Sequence, residues 1–146
     1  MSFLYAPFLL QGILMAIDEQ FHIKRGLGLW ERLGHPLDTL SVLIPFSYVA
    51  LNSYSDSRFI IFLIMATFSS LFITKDEVIH SEVCGRVECW LHSLLFLIHP
   101  LIFVSTAILW KNHPNDSFLI IQTVFVALFL IYQILKWSIP WKLPAK

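Results

Sequence analysis

The chain has 146 residues, 57% of them hydrophobic and 14% charged, with ten acids balancing ten bases for a net charge of zero. A mean hydropathy of +0.71 excludes an ordinary water-soluble globule, and the charge balance excludes both the basic footprint of a nucleic-acid binder and the composition of a disordered tail. The expected fold is an all-α integral membrane protein, one domain over 1–146.

A membrane-crossing helix takes about 20 mostly apolar residues. Five stretches satisfy that requirement, roughly 3–22, 36–54, 58–79, 86–110 and 117–136. The first 16 residues lack the positive start and small-residue cleavage site of a signal peptide and run straight into Asp18 and Glu19, so they read as a retained helix. Turn formers punctuate the chain at Gly26, Gly28, Gly34 and Pro36, at 52–57, at Gly85 and at 112–116. Pro36 biases His35 away from helical geometry, which places Glu31 on a short interfacial segment ahead of the second span. Five alternating spans put the 1–2 loop, the 3–4 loop and the C-terminus on one side. Lys24, Arg25, Arg32, Lys75, Arg86, Lys136, Lys142 and Lys146 fall there, against Arg58 and Lys111 on the other. The excess of positive charge marks that side as cytoplasmic, with the N-terminus outside and the C-terminus inside. In a bacterium the membrane is the inner one and the outside is the periplasm.

The polar residues of the spans form a repeat. Asp18-Glu19-Gln20-Phe21-His22 ends the first span and Asp76-Glu77-Val78-Ile79-His80 ends the third, a shared D-E-x-x-H pattern. Each is followed, after seven or eight residues, by a glutamate with a histidine four further on: Glu31 with His35, and Glu88 with His92. The repeat unit is therefore a helical hairpin, about 3–54 and then about 58–110, with 117–136 as an extra helix. Two like-oriented hairpins make a four-helix bundle with a pseudo-twofold axis along the membrane normal, and that symmetry gathers the polar clusters at the cytoplasmic end. Eight of the ten acids and four of the six histidines lie in the windows 18–38 and 76–92.

Residues three or four apart share a helix face. Glu19 with His22, Glu77 with His80, and Glu88 with His92 thus each present an oxygen and a nitrogen to one point, and a divalent cation both uses those donors and offsets the carboxylate charge. An interfacial ion-pair network with Lys24, Arg25, Arg32, Lys75 and Arg86 is the plainer account of the acids, but it leaves the histidines unexplained. Asp18, Asp38 and Asp76 are candidates for orienting the ligands. His99, two turns beyond His92 and just before Pro100, is either a further orienting or pocket group or a core histidine held by a hydroxyl or by the carbonyl that the proline frees.

The motifs Glu19-x-x-His22 and Glu77-x-x-His80 resemble the paired ExxH motifs of ferritin-like di-metal carboxylate proteins, among which the alternative oxidases are membrane-bound. The resemblance covers the site residues alone, in a cyclically shifted order, and the histidine boxes of membrane desaturases are absent. It implies a di-metal centre held by Glu19, His22, Glu77 and His80, with Glu31 and Glu88 as the single carboxylates contributed by the other two helices; His35 and His92 are candidate metal ligands beyond those a ferritin-like site uses. Two divalent ions are expected, iron favoured, zinc or manganese as alternatives. The function expected first is an oxidoreductase acting on a lipid or quinone-like substrate at the cytoplasmic interface. The alternatives are a zinc-dependent hydrolase of a lipid ester or phosphoester and a metal-binding sensor or carrier without catalysis.

Trp30, Trp90, Trp110, Trp137 and Trp141 fall near span ends, where amphipathic rings anchor at the headgroups. Gly12, Ala16, Ala66, Ser69 and Ser70 are small enough to let helices approach closely. His113 is expected in a solvated loop, and Cys84 and Cys89, five apart, match no redox or zinc spacing.

Overall fold

A computed structural model describes residues 2–77, 84–113 and 116–139. His80, and with it the end of the second D-E-x-x-H motif, lies outside the described residues, as do Trp141, Lys142 and Lys146. Among the described residues the chain is all-helical: α1 (Ala6–Arg25), α2 (Leu29–Leu51), α3 (Asp56–Phe72), α4 (Arg86–Asn112) and α5 (Ser117–Gln133). Single 3-10 turns precede α1 (Ser2–Tyr5) and extend α3 (Ile73–Asp76), and a π turn (Ile134–Ser138) extends α5. Three of these helical segments, Asp56–Asp76, Arg86–Asn112 and Ser117–Ser138, are long and apolar enough to cross a membrane. Large apolar side chains are exposed on all five helices, among them Leu9, Leu51, Ile64, Leu97 and Phe125, a surface consistent with a membrane protein.

Local chemistry explains the boundaries. The Ser55 hydroxyl accepts from the Arg58 N–H at 3.4 Å to start α3, and the Asp116 carboxylate accepts from the Phe118 N–H at 3.0 Å to start α5. Gly26 ends α1 at φ +77°, a conformation that side chains rarely adopt, and its N–H closes on the His22 carbonyl at 2.8 Å. One correction concerns α2, which begins at Leu29 and runs unbroken through both Pro36 and Pro45. Glu31 and His35 therefore stand on one continuous helix. Pro36 has no N–H to give the Arg32 carbonyl, and the Ser138 hydroxyl donates to that carbonyl instead, at 2.7 Å.

The helices close into a ring. α1 packs along α4 rather than along α2, its neighbour in sequence; α4 meets α3, α3 meets α2, and α2 finds its most extensive partner in α5. Aromatic rings fill the half nearer the N-terminus, where Phe46, Phe62, Phe103 and Trp110 interlock at centroid distances of about 6 Å. Trp110 is 0% exposed and donates to the Asn52 carbonyl at 2.8 Å, so it is a core residue and not an interfacial anchor. Ala66 and Ser69 are buried where α3 joins the bundle, whereas Gly12 has open space on its free side. Toward the other end, Leu14, Leu91 and Ile98 seal α1 to α4, and beyond them lies the polar cluster.

Candidate metal centre

The tight Gly26-Leu27-Gly28 link turns α2 back beside the end of α1. Glu31 receives the Gly28 N–H at 2.9 Å, and Arg25 reaches across the turn to grip both Glu31 oxygens at 2.6 and 3.1 Å. The same guanidinium holds Glu88 Oε1, from the first turn of α4, at 2.9 Å. This two-point grip on one carboxylate with a third bond to another is what a planar guanidinium provides and an ammonium does not.

Behind that ion pair the acids and histidines form three overlapping groups whose donor atoms lie within 4.8 Å of one another: Asp18, His22, Glu88 and His92; His22, Glu31 and His35; and His35, Asp38 and Asp76. In the first, His92 Nε2 lies 2.8 Å from Asp18 Oδ1, while His22 Nε2 lies 3.5 Å from Asp18 Oδ2 and 4.0 Å from Glu88 Oε1. The His22 and His35 rings stack at 4.7 Å, linking the first group to the others. In the third, His35 Nδ1 is 3.9 Å from Asp76 Oδ2, and Lys75 bridges Asp38 at 2.5 Å and Asp76 at 2.9 Å. His22, Glu31, Glu88 and His92 are each no more than 4% exposed.

The donor set fits a divalent cation in its first group. His22 Nε2 is buried and makes no hydrogen bond, yet it faces two carboxylate oxygens. Nitrogen and oxygen ligands about 2.1 Å from a metal stand roughly 3 to 4.2 Å from each other, which is the spacing observed around His22. Arg25 pairs with Glu31 and Glu88, and Lys75 with Asp38 and Asp76, two cations against four carboxylates. Among the described residues the ion-pair partners of Asp18 are the histidines His22 and His92.

The remaining candidates are placed as follows. Glu19 turns toward α5, where its Oε1 accepts from Tyr132 Oη at 2.6 Å and Trp137 Nε1 at 3.1 Å, although its Oε2 remains 3.9 Å from His22 Nδ1. Glu77 is exposed. His99 is buried and joins the Ser69 hydroxyl at 3.1 Å, which in turn meets the Ser41 hydroxyl at 2.8 Å. Of the basic residues weighed for an ion-pair network, Arg32 bonds the Leu27 carbonyl, and among the described residues the cluster acids Glu31, Glu88, Asp38 and Asp76 pair with Arg25 and Lys75. His113 is exposed. Burial pushes the Cys84 thiol up, to about 12, and the adjacent Glu88 carboxylate adds to the push, so Cys84 stays protonated beside the cluster.

The spacing that carries the geometry is acid-x-x-x-His. It occurs at Asp18/His22, Glu31/His35 and Glu88/His92, and again at Asp76/His80, where the histidine lies outside the described residues. At 3.6 residues per turn, side chains four apart are offset by about 40° around the helix and those three apart by about 60°. The four-residue pairs therefore converge while Glu19 swings aside. Asp18, Asp38 and Asp76 enter the groups directly. No family model, curated protein or solved structure matches the chain.

Proposed function

We propose that this chain is a membrane-embedded di-metal oxidoreductase whose substrate is a lipid or quinone-like molecule and whose centre lies at the cytoplasmic rim. In this reading all five helices cross the bilayer, with the N-terminus outside and the C-terminus inside. Asp18, His22, Glu88 and His92 hold the first ion, and His35, Asp38 and Asp76, with Glu31 between, hold the second. Iron is favoured by the mixed carboxylate and imidazole donors, with manganese or zinc as substitutes. When bound, such a pair of ions supplies one-electron and oxygen chemistry. The protein's own part is to fix the ligands on rigid helices, to hold the Asp18 and His92 donor atoms side by side at 2.8 Å where an ion would take the place of the proton between them, and to surround the centre with apolar walls that exclude water.

The observation that carries this reading is His22 Nε2, buried without a hydrogen bond and flanked by the Asp18 and Glu88 carboxylates. An ion pair there needs a protonated imidazole and still leaves its Nε2 without a hydrogen bond. A buried nitrogen left without a partner is costly, and a cation shared with two carboxylates removes the cost.

The test is metal content of detergent-purified protein, prepared without added metal or chelator. Stoichiometric iron is expected in the parent chain, falling by at least one ion per chain in Asp18→Asn/His92→Ala and unchanged in Glu77→Ala. Colourless zinc in place of iron would favour the hydrolase, and loosely held metal the sensor. A parent protein with no bound metal would leave only ion pairs.

A further inference from the structure

The ring of helices closes by direct packing at four joints and differently at the fifth. Between α5 and α1 lies a cavity of about 650 Å³, lined by residues of both helices and by α2 and α4 behind them. Both ends of this joint are fastened. At one end Tyr5 Oη donates to Asp116 Oδ2 at 2.8 Å, and the Tyr5 and Phe8 rings stand edge-on against Phe118 at 4.7 and 4.9 Å. At the other, Glu19 takes the hydrogen bonds of Tyr132 and Trp137. From Tyr5 to Glu19 is about 21 Å of helix, and the walls between, including Leu9, Ile13, Ile121 and Phe125, are both cavity lining and exposed on the outer surface. The joint is thus a slot open sideways. Its inner end reaches Asp18, His22, His35 and His92.

We propose that this slot takes in, sideways from the bilayer, one long-chain amphiphile with a single hydrocarbon tail and an uncharged oxygen-bearing head, such as a long-chain alcohol or aldehyde. The tail lies along the slot and the head rests at the cluster. One tail follows from a volume of drug-like size held between two helices that are fastened above and below. The Glu19 clasp closes the rim through which the bulky head of a phospholipid would have to pass. An uncharged head follows from the charge balance at the walls: Asp18, Glu19, Asp38 and Asp76 line the cavity, and among the described residues no lysine or arginine does; two divalent ions together with Arg25 and Lys75 would just match the six carboxylates of the cluster, Asp18, Glu19, Glu31, Asp38, Asp76 and Glu88, so an anionic head adds a charge that no cation is left to offset. That the head lies where chemistry occurs rests on the proposed metal centre; the slot itself is formed by α1 and α5.

Photolabelling tests the proposal. The full chain is reconstituted in phosphatidylcholine vesicles containing traces of a diazirine-bearing hexadecanol, of the matching fatty acid, or of a diazirine phosphatidylcholine, and adducts are mapped by mass spectrometry. The alcohol is expected to label the slot faces of α1 and α5, with unlabelled hexadecanol competing. Gly12→Trp is expected to abolish that labelling, because a side chain at Gly12 meets nothing within 4 Å and projects into the slot. Ile60→Trp, at an exposed position on α3, is expected to leave it intact. Ala16→Trp serves as a second obstruction should Gly12→Trp not fold. Adducts spread evenly over the exposed residues of α3, labelling indifferent to both obstructions, or equal slot labelling by fatty acid or phosphatidylcholine would overturn the proposal. Metal is measured on the same preparations. Slot labelling in protein that never holds metal keeps the slot and removes the oxidoreductase, whereas bound metal without slot labelling does the reverse.

Discussion

Gly34 sits where α2 comes nearest to Asp76. A Cβ built there would lie 3.3 Å from Asp76 Oδ1, closer than ordinary contact, and Asp76 is itself held by Lys75 and faces His35. A branched side chain cannot share that space without moving the carboxylate. Gly34→Val is therefore expected to lose the ion assigned to His35, Asp38 and Asp76 while keeping the one assigned to Asp18, His22, Glu88 and His92, so metal per chain falls by half with the helical circular dichroism unchanged. Loss of both ions, or of neither, would contradict two separable sites. At this scale the sequence displayed the right residue types in the right windows but not which acid of each D-E pair turns inward. Asp18 and Glu19 stand about 100° apart around the helix, on opposite sides of His22, and the choice between them depends on Tyr132 and Trp137 claiming Glu19, a contact more than 110 residues away in the chain that no local pattern contains.

The ends of the helices were legible within a few residues, because apolar length, glycine and capping side chains are local signals. The start of α2 was not. Proline statistics argue against a helix through Pro36, and the structure answers with a hydroxyl from elsewhere: Ser138, in the π turn after α5, donates to the Arg32 carbonyl that Pro36 leaves free. This bond fastens the end of α5 to the start of α2, and the neighbouring Trp137 fastens it to α1. Ser138→Ala leaves a partly buried carbonyl without its donor, a loss of about 1 kcal/mol. Its expected signature is a lowered unfolding temperature in detergent, recovered in Ser138→Thr. An alanine variant as stable as the parent would mean that water or another group serves the carbonyl equally well.

For the molecule as a whole, hydropathy pointed to lipid, and three helices long and apolar enough to cross a membrane, together with the exposed apolar surface of every helix, are consistent with it. The helix order around the ring was beyond its reach. An internal repeat suggests hairpins packed on themselves, yet α1 packs on α4, and α5, an addition to the repeat, becomes the principal partner of α2. The polar cluster makes membrane orientation decisive. A charged side chain at the centre of a bilayer costs on the order of 2.5 to 3.5 kcal/mol or more, so acids concentrated near the α1–α2 turn and at the start of α4 belong at a rim. Three helices, α2, α3 and α4, lie between Lys24 and Asn112. If each crosses, the two positions stand on opposite faces, and in the proposed orientation, which rests on the bases beside Lys24, the face of Lys24 is the cytoplasmic one. Cys84 is an unsuitable reporter, since its thiol is pushed up to about 12 and maleimides attack the thiolate, and Cys89 is replaced with it so that one introduced thiol is read. In a Cys84→Ser/Cys89→Ser background, an impermeant maleimide added to intact cells is expected to label Asn112→Cys at once and Lys24→Cys only after permeabilisation. Labelling of both from outside would mean an even number of crossings between them, and the reverse order would turn the cluster outward, away from cytoplasmic reductants.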